Sequence, residues 1–336
     1  MILGVIASLA ITAVLVTVSG AGVGESFRAL YDGAFGNKDS ALETLVSATP
    51  LILTGLAAAF AFRAGIWNIG GEGQFFAGAM GAWWFADTFG GIRPVPLLFV
   101  GIFLTAALAG AAWASIASVL KARYGTNEIL TTVMLNFVIL FILSYLLGGP
   151  WRSPDTFYFQ TERMADNTFL PRIFSDSRLH WGFLIAVAIA VVVYLVLSRT
   201  SLGFDIRGLG INLTAAEYKG TNVGRLIVIV MALSGAIAGI AGAGELTGIH
   251  HQLQLDIAVD LGFIGIIIAL VARLNPLAVV VTAIAFGGLI NGATNVQVVT
   301  GIPAALVRVI QGVTLITVLV AAVAVRYRVV TGKRDE

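Results

Sequence analysis

The sequence predicts an all-α integral membrane protein with about ten transmembrane helices, at least one of them broken, and both termini in the cytoplasm. Three observations carry this expectation. Of 336 residues, 58% are hydrophobic and 11% charged, against about 25% charged in ordinary globular chains, and the mean hydropathy is +0.94. The apolar residues gather into runs near the roughly 20 residues that a membrane-crossing helix needs. Those runs, such as Val187 to Leu197, do not alternate, which excludes the short alternating strands of an outer-membrane barrel.

Taken in order, the first span covers residues 2–19. Its start, Met1-Ile2-Leu3-Gly4-Val5, lacks the basic region of a cleavable signal peptide, so the run is expected to stay as a span. Residues 20–46 form an outer loop in which Ser40-Ala41-Leu42-Glu43 fits a capping box and should start a helix running into the second span. Spans at 47–65 and 67–86 flank a glycine-rich break, and spans at 95–119 and 129–148 follow. The outer loop 149–181 carries Trp151, Phe157, Tyr158, Phe159 and Trp181 among several charges; it fits an interfacial aromatic belt or a docking surface for an external protein. After a span at 180–198 comes the most basic inner loop, 199–225. There Thr214-Ala215-Ala216-Glu217 is a second capping box and Gly220 a helix stop, so a short cytoplasmic helix of about two turns is expected. Spans at 226–244, 256–272, 275–291 and 304–325 complete a single polytopic domain over residues 1–336. With the N-terminus inside, the inner gaps hold Arg63, Lys121, Arg123, Arg199, Arg207, Lys219, Arg225, Arg273, Arg326, Arg328, Lys333 and Arg334. They outnumber the basic residues of the outer gaps, and the positive-inside rule puts both termini in the cytoplasm.

Several function classes are excluded. A net charge of +2, dispersed along the chain, is no nucleic-acid footprint. Without cysteine there are no disulfides, thiolate metal sites or thiol catalysis. No metalloprotease, serine-hydrolase or phosphate-loop motif occurs, and no nucleophile–base pairing suggests an enzyme. The three histidines, His180, His250 and His251, lie near outer boundaries, and adjacent histidines point apart on a helix, so no metal site is expected.

The most informative stretch is Arg63-Ala64-Gly65-Ile66-Trp67-Asn68-Ile69-Gly70-Gly71-Glu72-Gly73-Gln74. Four glycines with Asn68, Glu72 and Gln74 between two apolar runs predict a broken helix. Irregular backbone at membrane depth survives only inside protein or beside a water-filled cavity. Two readings stay open: the segment borders a transport path, or its glycines serve close packing while Glu72 pairs with Arg63. Gly235 to Gly239 and Gly244 to Gly248 are small-xxx-small patterns for helix packing. Asn136, Asn275, Asn291, Asn295 and Gln297 could bond neighbouring helices or contact a polar solute. Asp256 and Asp260 would share a helix face, as boundary carboxylates or part of a cation path.

Together with Phe62 to Gln74, three further stretches resemble a known family: Gly125 to Asn136, Gly210-Ile211-Asn212-Leu213-Thr214-Ala215-Ala216-Glu217-Tyr218-Lys219-Gly220, and Gly262 to Gly265 continuing through Ala269 to Pro276. In this order they resemble the permease subunits of ABC importers, in the branch for nucleosides and simple sugars, related to the branched-chain amino acid and ribose importer permeases. The resemblance implies a multi-pass protein of a prokaryotic cytoplasmic membrane that works with ATP-binding cassette ATPase subunits, a second and usually different permease, and an extracytoplasmic solute-binding protein. ATP and its magnesium would sit on the ATPase, with no cofactor or catalytic residue on this chain. It also implies that Asn212, Thr214, Ala215, Glu217, Tyr218 and Gly220 belong to the loop helix that seats in an ATPase groove. On the transport-path reading of the glycine-rich segment, the residues expected to border the translocation path are Asn68, Glu72, Gln74 and Asn136. The departures are Ile211, where a small or polar residue is expected, and Val271-Ala272-Arg273 in place of a Leu-Leu-Gly-Arg pattern. The competing class is an ion-coupled transporter titrating Glu72 or Asp256; such a transporter needs no docking helix in a basic loop. Trp67, Phe75, Trp83 and Trp84 with the amides suit a nucleoside, and sugars use the same residue types.

Overall fold

The computed structural model describes residues 2–257 and 260–324. Among them run α1 (Ile2–Val18), α2 (Val23–Phe35), α3 (Lys38–Arg63), α4 (Gly71–Phe89), α5 (Val95–Tyr124), α6 (Glu128–Gly148), α7 (Gly182–Arg199), α8 (Ser201–Ile211), α9 (Leu213–Tyr218), α10 (Val223–Glu245), α11 (Leu261–Val271), α12 (Pro276–Thr300) and α13 (Ala304–Ala324). No strand forms among the described residues beyond two isolated bridges, Gln160 with Gln254 and Arg172 with His180. Arg326, Arg328, Lys333 and Arg334, used above for orientation, lie outside the described residues.

Six helices are long and apolar enough to cross a membrane: α3, α5, α6, α7, α10 with the turn after it, and α12. The expected span at 256–272 is corrected to an 11-residue helix, α11. At 1.5 Å per residue this is about 17 Å, well short of a bilayer core of about 30 Å. Left-handed residues break it at both ends: Asp260 has φ 61°, and Arg273 and Leu274 have φ 53° and 58°. Asp256 and Asp260 therefore share no helix face; both sit in exposed chain ahead of α11.

Helix starts are set mainly by asparagine. The side chain of Asn127 accepts N–H bonds from Ile129 and Leu130, Asn222 from Arg225, and Asn275 from Leu277. Asparagine is among the strongest N-caps, worth about 1 kcal/mol. The two expected capping boxes are corrected on this point. Asn37, not Ser40, starts α3 by accepting the Ser40 N–H at 2.8 Å, and Asn212, not Thr214, starts α9 by accepting the Ala215 N–H at 3.1 Å. In both cases an equally good cap lies upstream, and using it adds residues to the helix.

The contacts divide the chain into two compact units, one of residues up to Thr44 with those from Gly288 on, the other Leu45–Gly287. In the first, Val16, Ala29, Ala293, Val296, Val307 and Ile310 form an apolar cluster. Asn291 donates to the Gly33 and Ser40 carbonyls and Asn295 to that of Ala29, so these two amides join helices.

In the second unit α3 is buried on all faces, with Leu51, Ile52, Leu56 and Ala59 wholly covered, as expected of a central helix. Around it α4 and α5 cross α10 at glycines. A Cβ on Gly78 would meet the Gly239 backbone, and one on Gly110 would meet the Gly235 carbonyl. Small residues here let backbones touch, which is how helices gain packing energy in lipid.

The loop 149–181 is strapped across the chain that leaves α10. Thr161 N–H donates to the Leu253 carbonyl, Met164 N–H to that of His251 and Leu170 N–H to that of Thr247. The Phe169 ring stacks on His251 at 3.8 Å, and the Arg163 guanidinium lies over the Phe169 ring at 5.1 Å from its centroid. Burial, with Arg163, Arg172, His250 and His180 adding positive neighbours, pushes the His251 imidazole down from 6.5 to about 4; Glu245, the nearby carboxylate, is engaged by His250 at 3.4 Å. Released from the strap, His251 would take up a proton near pH 6.5. The released state thus binds more protons between about 6.5 and 4, and the strap weakens as pH falls through that window. Amide exchange of residues 161–170, corrected for its intrinsic pH dependence, should rise between pH 7 and 5. Protection unchanged over that range would refute the coupling.

Candidate translocation site and coupling surface

The glycine-rich segment is a break between two helices. At the end of α3, Gly65 takes φ 73°, the left-handed cap that glycine adopts without strain, and Ile66 N–H returns to the Ala61 carbonyl. The chain then runs irregularly to Gly70 before α4 begins. Asn68, Glu72, Gln74 and Asn136 are 2%, 6%, 1% and 3% exposed, so each polar group needs a protein partner.

Each has one. Asn68 and Gln74 form a reciprocal amide pair, Nδ2 donating to Oε1 and Nε2 to Oδ1, both at 2.9 Å. Asn68 Nδ2 also donates to Ser234 Oγ on α10, and Ser234 donates on to the Ala57 carbonyl of α3. The Gly70 N–H donates to Asn68 Oδ1. Asn136 on α6 accepts the Gly73 N–H at 2.9 Å and donates to the Ile69 carbonyl at 3.0 Å, satisfying one of the open N–H groups of the α4 start. Ile69 N–H reaches Thr132 Oγ1 at 3.3 Å. The Glu72 carboxyl group accepts the Gly262 N–H at 2.6 Å at the start of α11, taking up one of the open N–H groups of a helix start. A Cβ on Gly262 would collide with the Glu72 backbone. Arg63 is exposed, and the Glu72–Arg63 pair considered above does not form.

Thus Asn68, Glu72, Gln74 and Asn136 come together in one buried network tying α3, α4, α6, α10 and α11. Sequence reasoning missed Thr132, Glu128, Ser234 and Gly262. Glu128 pairs with Lys121 at 2.6 Å and receives the Trp67 N–H. One signal was available, since Glu128, Thr132 and Asn136 are spaced by four and share a helix face; Ser234 and Gly262 carry none.

One turn further along α4 and α6 from the network opens a groove of about 640 Å³ over α4, between α5 and α6. Its walls include Met80, Trp84, Thr105, Trp113 and Trp151, and Ala77 and Ile139 lie one turn along from Gln74 and Asn136. Trp151 also packs on Trp83 at 4.5 Å.

The second candidate surface is α9. Of residues 210–220 only Ala216 is buried, and Ile211 and Tyr218 are 86% and 89% exposed. Gly220, at φ 88°, ends the helix as expected, with its N–H on the Glu217 carbonyl. Lys219 pairs with Asp205 of α8 and lies over the Phe204 ring, which fixes α9 against α8. Asn212, Thr214, Ala215, Glu217, Tyr218 and Gly220 thus share one exposed segment.

Residues 40–319 match the profile of the branched-chain amino acid transport system permease component family. The chain is 35% identical to the guanosine ABC transporter permease protein NupP of Bacillus subtilis, over 99% of this chain and 95% of that one. It is 34% identical to the glucose ABC transporter permease protein TsgB13 of Haloferax volcanii, over 98% and 88%. With the nucleoside ABC transporter permease protein NupB of Lactococcus lactis it shares 31% identity, over 84% and 80%. No solved structure matches the chain. The helices able to cross a membrane, the polar break between α3 and α4 and these likenesses agree: the chain belongs to the branched-chain amino acid transport system permease component family.

Proposed function

We propose that this chain is the multi-pass permease subunit of an ATP-driven ABC importer in a prokaryotic cytoplasmic membrane, with both termini inside, and that its cargo is a nucleoside. The observation that carries the reading is α9, a capped helix in a basic loop, with Leu213 and Tyr218 on it and Ile211 at the end of α8 just before it all turned to solvent. Exposed apolar side chains grouped within eight residues call for a protein partner, and an ATPase groove supplies it. ATP hydrolysis then belongs to that subunit, and this chain is not itself an enzyme. A second, different permease and an external solute-binding protein complete the assembly; Phe157 and Tyr158, 96% and 76% exposed on the outer loop, offer the latter a contact. The nucleoside reading is supported by the guanosine and nucleoside transporters among the relatives. A sugar is the second reading, favoured by the glucose transporter. The groove above Asn136 borders the path, its tryptophans offering rings on which a base can stack. The network of Asn68, Glu72, Gln74 and Asn136 holds the broken helix that forms one wall.

The test is at α9. Tyr218→Ala removes a side chain almost wholly in water, so the melting temperature should not move, while ATPase co-purification and transport should fall at least tenfold, as for an interface hot spot of about 2 kcal/mol. Glu217→Pro, which costs a helix interior about 3 kcal/mol, should abolish transport. Normal transport by the proline variant with the ATPase still bound would refute the coupling role. Accumulation of solute by the chain alone in liposomes, under an imposed ion gradient, would favour an ion-coupled transporter instead.

A further inference from the structure

The groove and α9 do not use a smaller cavity of about 270 Å³ at the inner ends of α3 and α7, lined by Arg63, Tyr194, Leu197, Ser198, Arg207 and Asn275. Its two cations are brought together by close backbone packing. A Cβ on Gly210 would collide with the Arg63 carbonyl, so glycine there lets α8 press on the last turn of α3. Arg207, three residues earlier on α8, thereby comes to the same cavity as Arg63. Among the described residues neither arginine forms an ion pair. Two guanidinium groups sharing a cavity repel each other unless an anion lies between them.

The other walls narrow the choice of anion. Asn275 spends its Oδ1 on the start of α12, leaving an amide NH₂ as a donor. Ser198 donates its hydroxyl to the Tyr194 carbonyl. The polar rim thus offers mainly N–H donors, the complement of phosphate oxygens, and a guanidinium meets phosphate in a bidentate fork. Tyr194 and Leu197 add an apolar wall on the last two turns of α7, a helix long and apolar enough to span the bilayer. A free phosphate has no use for that wall. A lipid whose charged head meets the arginines and whose chains follow α7 uses both. The carbonyl ends of α3 and α7 oppose an anion only within their last turn, whereas both arginines of the cavity attract one.

We infer that the Arg63–Arg207 cavity seats the headgroup of an anionic phospholipid, its phosphate between the two guanidinium groups and its acyl chains along Tyr194 and Leu197. Basic pockets between helices at the cytoplasmic face take such headgroups in general, and a lipid here would brace α8, which carries α9, against the membrane domain.

The test uses the purified full-length permease in non-ionic detergent, with phosphatidylglycerol, phosphatidylcholine and inorganic phosphate as probes and binding read by native mass spectrometry. Phosphatidylglycerol should bind in preference to phosphatidylcholine. The double variant Arg63→Gln/Arg207→Gln should lose that preference by about tenfold or more, and Arg199→Gln, outside the cavity, should keep it. If the double variant does not fold, the wild-type protein decides: phosphatidylglycerol should raise its melting temperature more than phosphatidylcholine does, and the excess should shrink with added salt. Equal binding of the two lipids overturns the inference. So does competition by millimolar inorganic phosphate that displaces the lipid fully, which would make this a free-anion site. A double variant that keeps its lipid preference but loses ATPase co-purification assigns the arginines to an acidic protein surface, and overturns it as well.

Discussion

Asn68→Leu should lower the stability of the permease by about 2–4 kcal/mol and abolish transport. The side chain is 2% exposed and makes four hydrogen bonds: two in the amide pair with Gln74, one to Ser234 and one from the Gly70 N–H. Bonds between membrane helices average about 0.6 kcal/mol each, which puts the lost bonds at about 2 kcal/mol. Leucine has the same branched outline and is larger, so no cavity adds to this. It does strand the Gln74 amide and the Gly70 N–H away from water, and an unsatisfied buried group costs about 1–3 kcal/mol. Gln74→Leu should do nearly the same damage. The double variant should cost much less than the two singles together, by more than 1 kcal/mol, because the partner stranded by each single is gone. Unfolding followed by intrinsic fluorescence in detergent measures all three; additive effects, or a loss below about 0.5 kcal/mol for Asn68→Leu, would show that the network does not hold the break.

Gly239→Val is expected to be more severe and to leave little folded protein in the membrane. At this position α10 is clamped from two sides: on the α5 side a Cβ would meet the Ala106 carbonyl and come within 3.2 Å of the Gly110 Cα. Gly78 of α4 closes the other side, its own Cβ direction pointing into the Gly239 backbone. Overpacking a core against side chains typically costs about 1–3 kcal/mol; here the obstacles are backbone atoms, which move only if whole helices part. Gly244→Ala on the same helix is the control. Nothing lies within 4 Å of a Cβ there, and alanine improves helix propensity by up to about 1 kcal/mol, so its stability should hold or rise. Equal tolerance of both substitutions, by yield of monodisperse protein, would show that α10 is not clamped at Gly239.

These two contrasts show where sequence reading stops. The small-xxx-small patterns at Gly235–Gly239 and Gly244–Gly248 look alike as strings. Only the first lies in the crossing of α4, α5 and α10, and Gly248 instead approaches the His180 ring. Likewise the amides left open between packing and solute contact divide only in three dimensions: Asn291 and Asn295 join helices, and Asn275 caps one.

The sequence by itself determined the membrane class, the positions of most long helices, the break around Gly65 to Gly70 and a capped helix near residues 213–218. Each of these rests on composition or on spacing within about 20 residues, where helix periodicity and turn residues act locally. Only the tertiary structure decided that α11 is short, that Asn37 and Asn212 are the caps in use, and that Glu72 meets Gly262, 190 positions away. It also decided that Ser234 completes the bonds of Asn68 across 166 positions. A buried carboxylate or amide must find some partner, and local chemistry states that need; which partner answers depends on how the helices cross, a property of the packed bundle and of no single stretch of chain.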